Sequence, residues 1–222
     1  MSHLRFGILK WKQLEDNPVT KLLFQQCGFI PVQMSANKAG EDNEYDVKSF
    51  KNMIKLAKKA FEEGFDVGIL PEGQLNPTPE KGLLPVFPGA YTLAKMSRRP
   101  IQMMALHGVH QLWHPDEEIG MTVTGRTVKA HVYPHRDERY SSPEEFVQTF
   151  TKVVGEFGTY GRNLPDDELN AWLDGSHWKA MQLKKAEEAA ARKRAEEEAE
   201  AARRRAEEEK ESEGDDPQAS IE

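Results

Sequence analysis

Cysteine and long apolar runs are scarce in this sequence. Cys27 is the single cysteine among 222 residues, so an intrachain disulfide is excluded and the chain suits a reducing compartment. No uninterrupted apolar run approaches the ~18–20 residues that cross a bilayer, and the first residues lack the apolar core of a signal peptide. We therefore expect a peripheral membrane, cytoplasmic or organellar stromal location, with no transmembrane segment or signal peptide in this chain.

Positive charge is also in short supply. The chain has 30 Lys and Arg against 37 Asp and Glu, a net charge of −7, of which the segment from residue 179 onward carries −4. A mildly acidic body gives no basis for the counterion release that drives nucleic-acid binding, so no nucleic-acid partner is expected. The composition, 38% hydrophobic and 30% charged, indicates a globular domain joined to a charged segment.

Apolar spacing predicts alternating helices and strands over residues 1–163. Apolar residues recur every three or four positions from Val47 to Phe61, which predicts an amphipathic helix. Short apolar runs at 66–70 and 100–106 predict buried strands, with a helix over 90–97 between them. Strand, helix and strand in this order are typical of a β-α-β crossover. The predicted fold class is therefore α/β, with a mainly parallel or mixed central sheet flanked by helices.

Two further elements complete the predicted domain. Residues 121–124 and 127–133 alternate and contain β-branched side chains, which predicts a hairpin or two edge strands. Ser142-Pro143-Glu144-Glu145 is a helix start, because it offers a Ser cap, a first-turn Pro and a Glu three residues after the cap. The buried face of that helix is predicted to contain Phe146, Phe150, Val153, Val154 and Phe157.

Lysines occupy the other side of the helix that begins near Val47. They are Lys48, Lys51, Lys55, Lys58 and Lys59. One interpretation is a solvated helix face. The other is a surface for anionic lipid headgroups or cofactor phosphates.

The C-terminal quarter of the chain changes character. We expect a connecting helix over 164–178, a charged Ala/Glu/Arg/Lys helix over 179–211 and a disordered tail over 212–222. An eleven-residue repeat places basic residues four positions before glutamates, which supports an exposed helix by a few tenths of a kcal/mol for each pair, ~0.2–0.5. Alanine is too small for a convincing coiled-coil seam, so a single solvated helix is predicted, with a partner-binding coiled coil as the alternative.

The sequence motif that points to a functional site is Leu70-Pro71-Glu72-Gly73. Its glycine permits a tight turn and a close backbone approach to a ligand. Its glutamate follows a predicted parallel strand, where open α/β sheets bind ligands. Alone, the tripeptide is a weak signal, since an ordinary loop carboxylate fits it equally well.

The order of the surrounding segments makes the signal more specific. Residues 28–34, GFIPVQM, precede the motif by about 40 residues, and 99–104, RPIQMM, follow it by about 30. Phe87-Pro88-Gly89-Ala90 leads into the next predicted helix. Over about residues 4–135 the chain resembles the phospholipid/glycerol acyltransferase family, including the 1-acylglycerol-3-phosphate acyltransferases. Their blocks read H-x-x-x-x-D, G-x-I-F-I-D-R, F-P-E-G-T-R-S and V-P-I-V-P-V, and the last three resemble 28–34, 70–76 and 99–104.

The resemblance implies O-acyl transfer from acyl-CoA or acyl carrier protein to a lysophospholipid or glycerol-type hydroxyl in phospholipid biosynthesis, with no cofactor. It also implies that Pro71, Glu72, Gly73 and Gln74 bind the acceptor. In the family the histidine of the first block is the general base, oriented by its aspartate. No H-x-x-x-x-D precedes Gly28 here.

Three explanations of the missing base stand beside one another. In the first, the gene model is truncated and the H-x-x-x-x-D block lies upstream of Met1. In the second, the chain is a non-catalytic lipid- or partner-binding paralogue. In the third, another residue acts as the general base. Under the first two explanations, this chain alone is expected to be inactive. Peripheral membrane contact and a protein partner for the charged helix are expected as well.

The family arginines that hold the acceptor's phosphate are also replaced. Met34 and Leu75 stand at their positions, and Gln74 replaces the threonine. A guanidinium holds phosphate through two parallel hydrogen bonds, which neither side chain offers. A neutral or differently held acceptor therefore becomes more plausible than lysophosphatidate.

Two other segments have open interpretations. His107, His110 and His114 do not have a common zinc-finger spacing, so we predict loop and capping histidines rather than a zinc site. Leu83-Leu84-Pro85-Val86-Phe87 is either a core segment or the lip of an acyl-chain groove.

Overall fold

The computed structural model describes residues 4–6, 22, 29–30, 47–73, 76–112 and 125–213. The chain forms two compact units, Met1–Asp174 and Gly175–Glu222. The first unit contains four short strands and most of the apolar side chains, and the second is a single long helix with its flanking residues. The candidate site lies in the first unit.

The described helices and strands follow one another in a simple order. They are β1 (Leu4–Phe6), α1 (Val47–Glu62), β2 (Asp66–Gly68), a 3-10 turn (Pro79–Lys81), α2 (Gly89–Ser97), β3 (Met104–His107), α3 (Val109–Leu112), β4 (Lys129–Val132), α4 (Pro143–Tyr160), α5 (Asp166–Leu173) and α6 (Ser176–Glu213).

The predicted α/β class with a central parallel or mixed sheet is wrong. The structure is 59% helix and 8% strand. Its described strands form two separate two-stranded sheets: β1 pairs in parallel with β2, and β3 pairs antiparallel with β4. An apolar run shows only that a segment is buried, whereas a sheet also needs a partner for each backbone group. Only three or four residues of each run find such a partner.

The strand predicted at 127–133 is partly confirmed. β4 lies inside that range, but its partner is β3, with Met104 opposite Val132 and His107 opposite Lys129. The predicted hairpin partner, 121–124, lies outside the described residues. The antiparallel pair has one face against the core, because Ala105 is fully buried while Met104 and Leu106 are exposed.

Helix α4 confirms the predicted start and buried face. The Ser142 hydroxyl accepts the Glu145 backbone N–H (3.1 Å), and Pro143 occupies the first turn. The five predicted apolar residues of α4 are all at most 9% exposed: Phe146, Phe150, Val153, Val154 and Phe157. They form the main core together with Tyr91, Met103, Ala105, Tyr133, Tyr140, Leu164 and Trp172. The helix therefore supplies five of the twelve buried residues in this cluster.

Helix α1 is the second predicted helix that the structure confirms. Its buried Ala57 packs in a smaller core cluster with Ile30 and Leu93, against Val67 and Ile69 from the strand region before the Pro-Glu-Gly turn. The five predicted lysines of α1 are all exposed. Both interpretations of that lysine face therefore remain open.

The second unit contains α6, whose side chains are exposed from residue 182 to residue 205. Oppositely charged side chains approach each other one turn apart: Lys184–Glu188 (3.9 Å), Arg192–Glu196 (3.1 Å), Lys193–Glu197 (3.7 Å) and Glu200–Arg204 (2.6 Å). Such exposed pairs contribute only ~0.3–0.5 kcal/mol each. The residues predicted as a connecting helix, 164–178, are divided between α5 and the start of α6. Most of the predicted tail, 214–222, lies outside the described residues.

Candidate functional site

The Pro71-Glu72-Gly73 turn begins three residues after β2. Because β2 pairs in parallel with β1, the turn follows the carboxyl end of a parallel strand. Gly73 is buried and has a φ of 67°, a left-handed conformation that disfavours side chains with a Cβ. Its N–H donates to the Leu70 carbonyl (3.1 Å), and Phe87 N–H donates to the Pro71 carbonyl (2.8 Å). The turn is therefore held at both ends by backbone hydrogen bonds.

Glu72 connects the two ends of the loop that follows it. Its Oε2 accepts the Leu84 backbone N–H (2.8 Å) and the Asn76 side-chain amide (3.2 Å). Oε1 takes part in neither of these two bonds, and no other donor contacts it among the residues that the structure describes. Glu72 therefore braces the loop through one carboxylate oxygen.

Asn76 is a second organising residue of this loop, and the sequence reasoning assigned it no role. Its amide also donates to the Gly82 carbonyl (2.7 Å), while its Oδ1 accepts the Thr78 backbone N–H (2.9 Å). The latter bond is an Asx turn, which Asn before Pro-Thr-Pro favours. That local signal was available in the sequence, whereas the reach to Glu72 and Gly82 depends on how the loop closes.

Burial raises the pKa of Glu72 above its usual value, and its hydrogen bonds from Leu84 and Asn76 oppose that rise. A raised folded-state pKa means that the unprotonated carboxylate is less favourable in the fold than in the unfolded chain. The stability associated with Glu72 is therefore present below the ordinary glutamate value of 4.5 and is lost as the pH rises through the raised value.

We expect Glu72→Gln to remove this pH dependence. The free energy of unfolding, measured by urea denaturation at a series of pH values from 4.5 upward, should fall less steeply for the variant than for the wild type. Glu80→Gln, on an exposed carboxylate of the same loop, is the control and should follow the wild type. Parallel pH curves for Glu72→Gln and wild type would contradict the raised pKa.

Two of the three resembling segments pack close to each other in the structure. The third is connected to the same region by hydrogen bonds. Ile30 of the 28–34 segment packs in the cluster that contains Val67 and Ile69, just before the turn. Arg99, which opens the 99–104 segment, donates to the Asp66 carboxylate (3.1 Å) and to the Phe61 carbonyl (3.1 Å). Pro71, Glu72 and Gly73 therefore lie in a braced turn, whereas Gln74, Leu75 and Met34 lie outside the described residues.

Two of the three histidines in the 107–114 segment lie in the described part of the chain. His107 Nδ1 donates to the Gly158 carbonyl (2.8 Å) near the end of α4, so its role is to cap and pack. His110 lies on α3, and His114 lies outside the described residues. Within the described ranges, no group of three or more His, Cys, Asp or Glu is placed to hold a metal ion.

The apolar segment 83–87 contributes to the main core. Leu83 and Val86 pack against it, and the Leu83 side chain lies 3.6 Å from the position that a Cβ on Gly155 would take. These contacts support the core interpretation of the segment. They also place Leu84 next to residues that pack on α4, and the Leu84 backbone N–H donates a hydrogen bond to Glu72.

Comparison with protein-family models, with curated proteins and with solved structures finds no match for this chain. In the part of the chain that the structure describes, no helix combines the length and apolar character needed to cross a bilayer.

Proposed function

We propose that this chain carries the acceptor side of an acyl-transfer site. The reaction would move an acyl group from acyl-CoA or acyl carrier protein to the hydroxyl of a lysophospholipid or glycerol-type alcohol. The observation that carries the proposal is the braced Pro71-Glu72-Gly73 turn at the carboxyl end of parallel strand β2, with one Glu72 oxygen outside the hydrogen bonds of the described loop residues. The order of the three resembling sequence blocks supports the same chemistry.

The reaction needs an acceptor alcohol held close to a thioester carbonyl. The hydroxyl oxygen forms the new ester bond, the carbon–sulfur bond breaks, the thiol leaves and the hydroxyl proton passes to a base. Positioning an alcohol in this way lowers the entropic part of the barrier. Glu72 is suited to accept a hydrogen bond from a glycerol hydroxyl through Oε1, and the buried glycine lets the acceptor approach the backbone.

A non-catalytic lipid- or partner-binding module is the second candidate. The observation that favours it is the absence of H-x-x-x-x-D before Gly28. The two candidates make the same prediction for acceptor binding and different predictions for transfer.

The test measures binding and transfer on the same 222-residue chain. Binding of monoacylglycerol is followed by tryptophan fluorescence, and transfer is followed with radiolabelled acyl-CoA, with and without added imidazole as an external base. We expect acceptor binding, transfer near background without imidazole, and a gain in transfer with imidazole. Glu72→Ala should remove the binding and the gain, whereas Glu80→Ala, an exposed carboxylate of the same loop, should retain both.

Each alternative result has a distinct meaning. Acceptor binding without transfer under either condition favours the non-catalytic module. Strong transfer without imidazole would show that a base is present and contradict the expected inactivity of this chain. Neither binding nor transfer would reject both candidates, and an unchanged Glu72→Ala variant would reject the assigned role of Glu72.

A further inference from the structure

A basic cavity of about 380 Å³ lies where the end of α2 meets the segment before α4. Its cationic lining residues are Lys95, Arg98, Arg99, Arg136 and Arg139. Its volume falls in the range of small-molecule sites, roughly 300–1,000 Å³. The cavity is thus large enough for an anion with an attached organic group.

Two of the five cations already have carboxylate partners. Arg99 pairs with Asp66 (3.1 Å), and Arg136 pairs with Glu145. Lys95, Arg98 and Arg139 have no carboxylate partner among the residues that the structure describes. Three cations around one cavity repel one another, so an anion placed between them is favoured.

The backbone brings these three cations together at a helix end. Lys95 lies in the last turn of α2, and Arg98 follows as its C-cap with a left-handed φ of 57°. The Arg139 guanidinium reaches across and donates to the Arg98 carbonyl (3.5 Å). The negative end of the α2 dipole stabilises cations at this position.

Arg136 is the most buried of the cationic lining residues. Its side chain is only 6% exposed, and its guanidinium carbon lies 4.8 Å above the centre of the Tyr140 ring. Its Nε–H is buried and has no hydrogen-bond partner among the described residues. A buried donor without a partner is costly and needs an explanation, of which a bound ion is one.

Only two of the lining residues are acidic. Asp137 and Glu138 are the two carboxylates at the cavity, both exposed, and the Asp137 side chain is fully so. Tyr91 and Ile101 provide an apolar wall, with the Lys95 ammonium 5.7 Å from the centre of the Tyr91 ring. The cavity therefore combines a cationic side with an apolar side.

We propose that this cavity is a binding site for a phosphomonoester, with the phosphate between Lys95, Arg98 and Arg139 and the organic group against Tyr91 and Ile101. A dianionic phosphate matches several cations at once, and forked guanidinium groups bind its oxygens in pairs. The site does not depend on the proposed acyl transfer, since it uses different residues.

The test is calorimetric titration of the full chain at fixed ionic strength. The probes are inorganic phosphate, glycerol 3-phosphate and monomeric lysophosphatidate, with glycerol as the phosphate-free counterpart. We expect saturable binding of phosphate esters and none of glycerol. Equal binding of both esters indicates a soluble phosphate ester as ligand, and binding of lysophosphatidate alone indicates a lipid headgroup; both results support the site.

Lys95→Gln/Arg139→Gln should weaken phosphate binding about tenfold or more, because each loses a charge-assisted contact. Arg98→Asn, chosen because asparagine tolerates the left-handed backbone, should do the same. The matched control is Arg126→Gln/Arg162→Gln, which removes the same charge at two exposed positions elsewhere in the first unit and should bind like wild type.

Circular dichroism melting shows that each variant is folded before titration. No saturable phosphate binding by the wild type would overturn the proposal. Equal losses in the cavity variant and in the matched control would also overturn it, because they would show non-specific attraction by net charge.

Discussion

Glu145→Ala is expected to lower the free energy of unfolding by about 3–5 kcal/mol, because it leaves the buried Arg136 guanidinium without its carboxylate. The Glu145 side chain is 1% exposed and the Arg136 side chain is 6% exposed. Glu145 also accepts the backbone N–H and the hydroxyl of Ser141, both at 2.6 Å. Urea denaturation of the variant and the wild type measures the difference.

The pKa of Glu145 provides a second measurement. Burial alone would raise it, but hydrogen bonds from Ser141 and Arg136 outweigh burial, so the folded-state pKa lies below the usual 4.5. For a lowered carboxyl pKa, the stabilisation is complete above the unfolded value and is lost as the pH falls through the folded value. Glu145→Gln should therefore differ most from wild type near neutral pH and least in acid.

A double variant separates the ion pair from simple packing. Arg136→Met/Glu145→Leu removes both charges together, so it should be less destabilised than Glu145→Ala alone. A loss below about 1 kcal/mol for Glu145→Ala would show that Arg136 finds another partner or becomes solvated, and the pair would then not be a stabilising element.

Gly161→Ala is expected to cost about 2–4 kcal/mol from two sources. Gly161 caps α4 with a φ of 67°, where a residue with a Cβ is strained by ~1–2 kcal/mol. A Cβ there would also lie 2.8 Å from His107 Cδ2. The ring cannot withdraw freely, because His107 Nδ1 donates to the Gly158 carbonyl (2.8 Å).

Gly64→Ala is the matched control for backbone strain. Gly64 follows the end of α1 with a φ of 82°, but a Cβ there would meet nothing within 4 Å. Its cost should therefore be the strain alone. In a His107→Ala background the cost of Gly161→Ala should fall to the Gly64→Ala value, and an unchanged cost in that background would contradict the predicted collision.

The helices were predictable because their signals are local. The cap and apolar spacing of α4, the spacing of α1 and the glycine turn after Pro71 each depend on residues within a few positions of one another. The strand pairing was not predictable in the same way. Ile101 is apolar and half-buried, yet β3 begins only at Met104, because burial by itself does not provide a strand partner.

The sequence by itself determined the helical elements, the charged C-terminal segment and the position of the Pro71-Glu72-Gly73 turn, since these depend on spacing and residue type. Only the tertiary structure decided which charges far apart in the chain are paired. Counting shows an acidic chain, but Arg99 is neutralised by Asp66, 33 residues away, and Lys95, Arg98 and Arg139 are left around one cavity. Charge pairing depends on distances of a few ångström between residues far apart in the chain, and linear order does not contain those distances.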